Sequence, residues 1–147
     1  MAQTDGLIRV EVVTPARAVL DIKAKDVVLP GVNGELDVMP GHLALLTDLG
    51  VGRMIVRGGP EGERSFVIDG GFAEIVNDTL TVLTESCEGI DEIDIEHAQQ
   101  MLERAQAELK DLEELSKSEV VAEDVMALHR KQIERSRARI LHGKKTD

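Results

Sequence analysis

The chain has 147 residues, 42% of them hydrophobic, and a formal net charge of −11, so it has enough apolar material for a genuine core. Trp and Tyr are absent and Phe occurs twice, so the chain lacks the stacking platforms of single-stranded nucleic-acid binders, and its negative charge disfavours DNA binding. We therefore expect no nucleic-acid partner. No apolar run reaches the roughly 18 residues of a membrane span, so we also expect no direct membrane insertion.

Residues 1–88 show the alternating hydrophobicity of β-strands. Ile8, Val10 and Val12 alternate with polar residues. Further β-prone runs lie at residues 27–29, 51–56, 66–68, 72–76 and 80–83, and turn-forming residues separate them at 32–34, 58–60, 69–71 and 77–78. Short strands without intervening helices predict an all-β N-terminal domain, an antiparallel β-sandwich or a barrel.

The chain between residues 30 and 46 is rich in proline and glycine, which restrict or extend the available backbone conformations. The residues of these two types are Pro30, Gly31, Gly34, Pro40 and Gly41. They predict a loop that presents Glu35 and His42, and such loops commonly carry contacts. For His42 a second interpretation stays open, in which the residue only closes a turn.

Residues 89–147 are predicted to form a C-terminal antiparallel two-helix hairpin. From Asp94 the apolar residues are spaced by three and four, which is typical of one face of an amphipathic helix. These residues are Ile95, Ala98, Leu102, Ala105, Leu109 and Leu112. The Asp94 carboxylate suits the N-cap, where it can accept amide hydrogens of the first turn.

A second helix is expected after a short break. Residues 116–119 have the spacing of a capping box, and Gly143 suits the end of the helix. Two polar residues, His129 and Ser136, interrupt its apolar stripe. So short a connection between the helices favours an antiparallel arrangement.

Charge divides the two helices. Residues 129–147 contain seven Lys or Arg residues and two acidic ones, whereas the first helix is acidic. Exposed pairs of opposite charge contribute only about 0 to 1 kcal/mol each, so an acidic partner could compete for the same basic residues. We therefore interpret the hairpin as a two-state element.

No combination of residues predicts catalysis. The chain has no glycine-rich nucleotide loop and no glycine-flanked nucleophilic serine, and its four histidines lack metal-ligand spacing to one another or to the single Cys87. Cys87 fits the role of a small buried hydrophobe. We expect a protein that is not an enzyme and needs neither a metal nor a cofactor.

Several short motifs resemble the epsilon subunit of the F-type ATP synthase, in the same order along the chain. They are Leu29-Pro30-Gly31, Gly34-Glu35-Leu36, Pro40-Gly41-His42, Gly70-Gly71-Phe72-Ala73-Glu74-Ile75, Thr81-Val82-Leu83-Thr84 and Ile93-Asp94-Ile95-Glu96-His97-Ala98. The resemblance covers almost the whole chain. It departs at Asp37, where family members commonly have glycine.

The resemblance implies a central-stalk, or rotor, subunit that couples ion-driven rotation of the c-ring through the gamma subunit to ATP synthesis. In that family the β-sandwich binds gamma and rests on the c-ring, which makes Glu35 and His42 the expected ring contacts. The implied location is the cytoplasmic face of the bacterial plasma membrane, where the subunit is held peripherally through the complex.

The resemblance gives the helical hairpin a regulatory role. In the family it can extend towards the alpha/beta catalytic hexamer and inhibit ATP hydrolysis. Basic residues of the second helix would then meet acidic helices of the catalytic subunits. The expected contacts are Arg130, Arg135, Arg137 and Arg139.

Some bacterial members of the family bind ATP through the hairpin, and part of that site has a counterpart here. The matching residues are Glu88, Asp94, Arg104 and Arg130. However, His97 and Glu134 stand where arginines are expected, and neither can supply the permanent positive charge and bidentate geometry of a guanidinium. We expect ATP binding to be weak or absent.

A free-standing nucleotide-binding module, with the hairpin as a lid, is the alternative function. Such a module would be monomeric and would be stabilised by ATP. A rotor subunit would instead co-purify with gamma and the catalytic hexamer.

Overall fold

A computed structural model of the chain describes residues 5–144. Within them lie eight strands and two helices. In chain order these are β1 (Ile8–Val13), β2 (Ala18–Ala24), β3 (Asp26–Gly31), β4 (Gly34–Val38), β5 (Leu45–Gly59), β6 (Gly62–Val76), β7 (Thr79–Leu83), β8 (Cys87–Gly89), α1 (Ile95–Leu115) and α2 (Glu123–His142). The chain divides into two compact units, with the boundary after Ile90.

The first unit is a β-sandwich built from one continuous set of paired strands. The strand order is β2-β1-β7-β6-β5-β3-β4, and β8 pairs with β6. Every pair is antiparallel except β1 with β7, which is parallel. The predicted fold class, a β domain followed by a helical hairpin, is confirmed, and the parallel pair is a detail that hydrophobic alternation does not reveal.

The core of the sandwich is aliphatic, as the composition requires. Alternate side chains of β1, Ile8, Val10 and Val12, are buried, because successive residues of a strand point to opposite faces of the sheet. Most of the remaining core side chains come from β5, β6 and β7, such as Met54 and Ile68, and all of them belong to one contiguous cluster.

The predicted turn at residues 69–71 is wrong, because this segment lies inside the 15-residue strand β6. Gly70 and Gly71 have φ values of +67° and +102°, so the strand changes direction there without ending. The predicted turns at residues 32–34 and 77–78 do separate strands, β3 from β4 and β6 from β7.

The second unit is the antiparallel pair of helices α1 and α2. Asp94 caps α1 as predicted, since its Oδ1 accepts the His97 amide hydrogen at 3.0 Å. The predicted capping box at residues 116–119 is wrong. The Ser116 and Ser118 hydroxyls donate instead to carbonyls of the last turn of α1, and α2 begins only at Glu123 without a side-chain cap.

Small and apolar side chains hold the helices together. Ala98 and Ala105 of α1 and Met126, Ile133 and Ser136 of α2 are buried. The Ser136 hydroxyl, which interrupts the apolar stripe, is satisfied by the Gln132 Nε2 at 3.0 Å. No helix within residues 5–144 is long and apolar enough to cross a membrane.

Candidate functional site

The segment predicted as one contact loop is mostly a β-hairpin. Glu35 lies in strand β4, opposite Pro30 of β3, and its side chain is exposed. His42 follows β4, and its amide donates to the Met39 carbonyl at 3.1 Å, so it does close a turn. No hydrogen bond or ion pair joins Glu35 to His42 in the described part of the chain, and each is presented separately.

Asp78 anchors the turn that carries His42, a role that the sequence pattern did not indicate. Its Oδ1 accepts the Gly41 amide hydrogen at 2.7 Å. The Asp78 side chain is buried, and its backbone adopts φ of +58° in the turn between β6 and β7. A polar residue beside Asn77 in a tight turn was the available signal, but the sequence does not show which distant amide it binds.

Large apolar side chains are exposed along the same stretch of chain. The most exposed is Leu43, at 83%. Val32, Met39 and Leu46 are each more than half exposed, and Leu45 is 36% exposed. Exposed apolar residues of this size, close in sequence to the charged Glu35, are typical of a contact surface.

A second apolar surface crosses three strands on the outer face of the sheet, and we call it the outer apolar row. Phe72 of β6 lies directly opposite Leu83 of β7, and Leu83 lies opposite Val13 of β1. These side chains are 53%, 50% and 37% exposed. Together with Thr14, Pro15, Gly71, Thr84 and Glu85 they line an open recess of about 400 Å³.

Acidic side chains border the outer apolar row. Asp48 is the cross-strand neighbour of Phe72, Glu74 follows two residues along β6, and Glu85 lines the recess. All three are exposed, and none of them forms an ion pair with another residue in the range 5–144. A partner that presents an apolar strip flanked by Lys or Arg would complement this surface.

The four arginines predicted to contact the catalytic subunits lie on α2 but do not form one patch. At about 100° per residue, Arg130 and Arg137 share one side of the helix, whereas Arg135 and Arg139 lie roughly 140–180° around it. Arg130 and Arg137 are exposed, and the other two are half-buried. A single flat partner could therefore reach one pair at a time.

The residues that match the family ATP site are engaged in local interactions. Asp94 caps α1, Arg104 Nε lies 3.1 Å from Glu108 Oε1, and Arg130 is paired with Glu123. Glu88 lies in β8 of the first unit, opposite Val67. No cluster of three or more metal-ligating side chains is found among the described residues.

His129 joins the two helices. Its Nε2 lies 2.9 Å from Glu108 Oε2 on α1, and its Nδ1 lies 2.9 Å from the Val125 carbonyl oxygen on α2. The Val125 carbonyl and then the Glu108 carboxylate raise the pKa of His129, and burial opposes them. Hydrogen bonds from Arg104 and His129 lower the pKa of Glu108.

Comparison with known proteins identifies the family. Residues 7–90 match the model of the ATP synthase delta/epsilon chain β-sandwich domain. The ATP synthase epsilon chain of Lawsonia intracellularis is 39% identical over 107 residues, 73% of this chain and 80% of that protein. The epsilon chain of Citrifermentans bemidjiense is 41% identical over 106 residues, 71% of this chain and 75% of that protein.

The chain belongs to the ATP synthase epsilon chain family. Two solved structures share its fold. A chain of the Euglena gracilis mitochondrial ATP synthase, determined with OSCP, F1 and c-ring, aligns with a TM-score of 0.72 and 22% identity over 93% of this chain and 81% of its own length. A chain of the Tetrahymena thermophila mitochondrial ATP synthase central stalk and c-ring aligns with a TM-score of 0.54 and 17% identity, covering 64% of this chain and 73% of its own length.

These matches confirm the resemblance stated from the short motifs. Epsilon chains are subunits of the membrane-associated ATP synthase, so this epsilon-family chain is a component of such an assembly. Both structural matches come from assemblies that include the c-ring.

Proposed function

We propose that this chain is a non-catalytic rotor subunit that transmits c-ring rotation through gamma to ATP synthesis. The observation that carries the proposal is the outer apolar row. A monomeric protein gains little from leaving Phe72, Leu83 and Val13 exposed on adjacent strands, whereas a subunit of an assembly buries such a surface against its partner. The acidic border favours a partner with basic residues around an apolar strip.

The partner assigned to the outer apolar row is gamma, and the ring contacts are Glu35 and His42. The turn that carries His42 is held by Asp78 and surrounded in sequence by exposed apolar residues such as Leu43. A surface held in place in this way loses little conformational entropy on binding. The complex would hold the subunit at the cytoplasmic face of the bacterial plasma membrane.

The hairpin is assigned the inhibition of ATP hydrolysis. Its second helix carries Arg130, Arg135, Arg137 and Arg139, and its polar contacts with α1 include the partly exposed pair of His129 with Glu108. The two exposed arginines, Arg130 and Arg137, can meet an acidic helix of the alpha/beta hexamer first. Salt should weaken this contact, because screening shortens the range of exposed charges to about 10 Å at 0.1 M.

The test is hydrolysis by the assembled synthase with and without the hairpin. Deletion of residues 119–147 should leave the complex intact, because the sandwich binds gamma and the c-ring. It should raise ATP hydrolysis, because the hairpin is the inhibitory element. Replacing Arg135, Arg137 and Arg139 together by Gln should reproduce part of this effect. The control removes positive charges outside the second helix, at Lys110 and Lys117, and should leave hydrolysis unchanged.

Two results would contradict the proposal. Unchanged hydrolysis after the deletion would show that inhibition comes from elsewhere. A chain that stays monomeric in the presence of gamma and the hexamer, and is stabilised by ATP, would favour the nucleotide-binding module. His97 and Glu134 argue against that module, since they stand where the nucleotide-binding members of the family have arginines.

A further inference from the structure

The two ring nitrogens of His129 both face hydrogen-bond acceptors. Nδ1 lies 2.9 Å from the Val125 carbonyl oxygen, and Nε2 lies 2.9 Å from Glu108 Oε2. A carbonyl can only accept, and so can an ionised carboxylate, so each contact needs an N–H on the ring. Neutral imidazole has one N–H and imidazolium has two. Both contacts therefore form together only when a proton is added to the pair.

The added proton belongs on His129. Glu108 Oε1 also accepts from Arg104 Nε at 3.1 Å, and this cation stabilises the ionised carboxylate. The hydrogen bonds from Arg104 and His129 lower the pKa of Glu108, whereas the Val125 carbonyl and Glu108 raise that of His129. The geometry and the direction of both shifts agree on an imidazolium that bridges a carboxylate and a carbonyl.

Among the groups around the contact, the His129 imidazole is the one whose charge changes near neutral pH. From α1, the charged groups beside the imidazole are Glu108 and Arg104, which is held by the same carboxylate. One turn away on α2, its neighbours Val125, Met126, Gln132 and Ile133 are neutral. The His129 side chain is 24% exposed and borders a recess of about 220 Å³, so water can exchange the proton.

We propose that His129 and Glu108 form a pH-dependent latch between the two helices, closed when His129 is protonated and released when the imidazole becomes neutral. Neutral imidazole keeps one of its two contacts. If Nδ1 retains the proton for Val125, the Nε2 lone pair faces the Glu108 carboxylate and the contact across the hairpin becomes repulsive.

The direction of the pH dependence follows from the shifts. The pKa of His129 is raised above its ordinary value of 6.5, so its stabilisation of the closed hairpin is fully present below 6.5 and is lost as pH rises through the raised pKa. The pKa of Glu108 is lowered from 4.5, so its contribution is present above 4.5 and is lost as pH falls through the lowered pKa. The latch holds between these limits and opens on the alkaline side.

The latch is independent of the proposed inhibitory role and can be tested without the synthase. If the hairpin also inhibits hydrolysis, a rising pH would free its basic half for the catalytic subunits. A failure of that regulatory step would leave the latch intact, because opening is measured on the full chain alone.

The experiment measures the separation of the helices by energy transfer between two dyes. Ala107 of α1 and Ala127 of α2 are exposed and can be replaced by Cys in a Cys87→Ser background. Between about pH 6 and pH 9, the ratio of closed to open hairpin should fall about two- to fivefold, the range of an exposed ion pair. His129→Gln should abolish this change, whereas His97→Gln, an exposed residue of α1, should retain it.

A second measurement follows the imidazole itself. In nuclear magnetic resonance titrations of the full chain, Glu108→Gln should lower the pKa of His129. The unmodified chain and the Glu108→Gln variant should both keep their helices. The proposal is overturned if the hairpin ratio does not change with pH, if it changes equally in His129→Gln, or if Glu108→Gln leaves the His129 titration where it was.

Discussion

The carbonyl oxygen of Leu83 lies 1.8 Å from the position that a Cβ atom on Gly71 would occupy. Gly71 also adopts φ of +102°, which L side chains rarely adopt. The close approach lets Phe72 of β6 pair directly with Leu83 of β7 and so forms the centre of the outer apolar row. Gly71 is thus required by the backbone, and the surface beside it depends on that requirement.

Replacing Gly71 by Ala should destabilise the sandwich by about 3 kcal/mol or more, since a strained φ and a backbone clash occur together. Gly62→Ala is the matched control. Gly62 has φ of +83°, but a Cβ atom there would meet open space, so only the conformational cost of about 1–2 kcal/mol applies. Urea unfolding of both variants checks the difference, and equal losses would contradict the argument.

How much the sequence reveals depends on how far apart the interacting residues are. The Asp94 cap was predictable because the side chain and the amide that it binds are three residues apart. The capping box predicted at residues 116–119 is wrong because the Ser116 and Ser118 hydroxyls can equally bond carbonyls of the preceding helix, and they do. Local patterns alone do not decide between two local partners.

Features that depend on contacts between distant residues could not be predicted from the sequence. Gly70 and Gly71 favour a turn, but β6 pairs with β5 on both sides of Gly70 and with β7 from Phe72 onward, so the strand changes direction at the two glycines without ending. The outer apolar row depends on strand register across β6, β7 and β1, which hydrophobic alternation leaves open. His129 was recognised only as a polar interruption, because its partner Glu108 lies 21 residues away.

Asp37, which departs from the family glycine, lies in a crowded acidic position. It is diagonal to Asp26 on the neighbouring strand β3. The Arg57 guanidinium pairs with two carboxylates, Asp26 Oδ2 at 3.3 Å and Glu63 Oε1 at 3.6 Å. Burial and then the hydrogen bond with Asp26 raise the pKa of Asp37, and Arg57 opposes them. Its Oδ1 is buried without a hydrogen-bond partner in the described part of the chain.

Asp37→Asn should therefore raise the free energy of unfolding at neutral pH. A carboxyl whose pKa is higher in the folded state loses stability as pH rises from its ordinary value of 3.8 through the raised pKa. The advantage of Asn should disappear as pH falls below about 4, where Asp37 is protonated in both states. Urea unfolding across pH measures this, with the exposed Asp48→Asn as control. A constant difference at all pH values would refute the assignment.

The outer apolar row gives a binding prediction. Replacing Phe72 and Leu83 together by Ser should weaken binding to gamma about 10- to 100-fold, because central apolar residues dominate an interface. Unfolding free energy should change by little more than about 0.5 kcal/mol per site, since both side chains are half exposed. Val120→Ser, at a fully exposed residue between the helices, is the control for binding. Unchanged affinity in the double variant, measured by calorimetry, would remove the row from the gamma interface.

ATP binding by the full chain should be weaker than micromolar. The two arginines that match positions of the family ATP site each form an ion pair with a carboxylate: Arg104 with Glu108 at 3.1 Å, and Arg130 with Glu123. A phosphate must displace these carboxylates, and His97 cannot replace a guanidinium because an imidazole cannot form a bidentate fork.

Substitutions that free Arg130 and substitutions that add arginines can be tested separately for their effect on ATP affinity. Glu123→Gln removes the carboxylate that holds Arg130 and should strengthen ATP binding modestly. His97→Arg with Glu134→Arg restores two positive charges and should strengthen it more, because each adds attraction to the triphosphate instead of only removing competition. Calorimetry of each variant with ATP decides the order. Micromolar affinity in the unmodified chain would show that the local ion pairs yield to phosphate at little cost, and that His97 is compatible with a working nucleotide site.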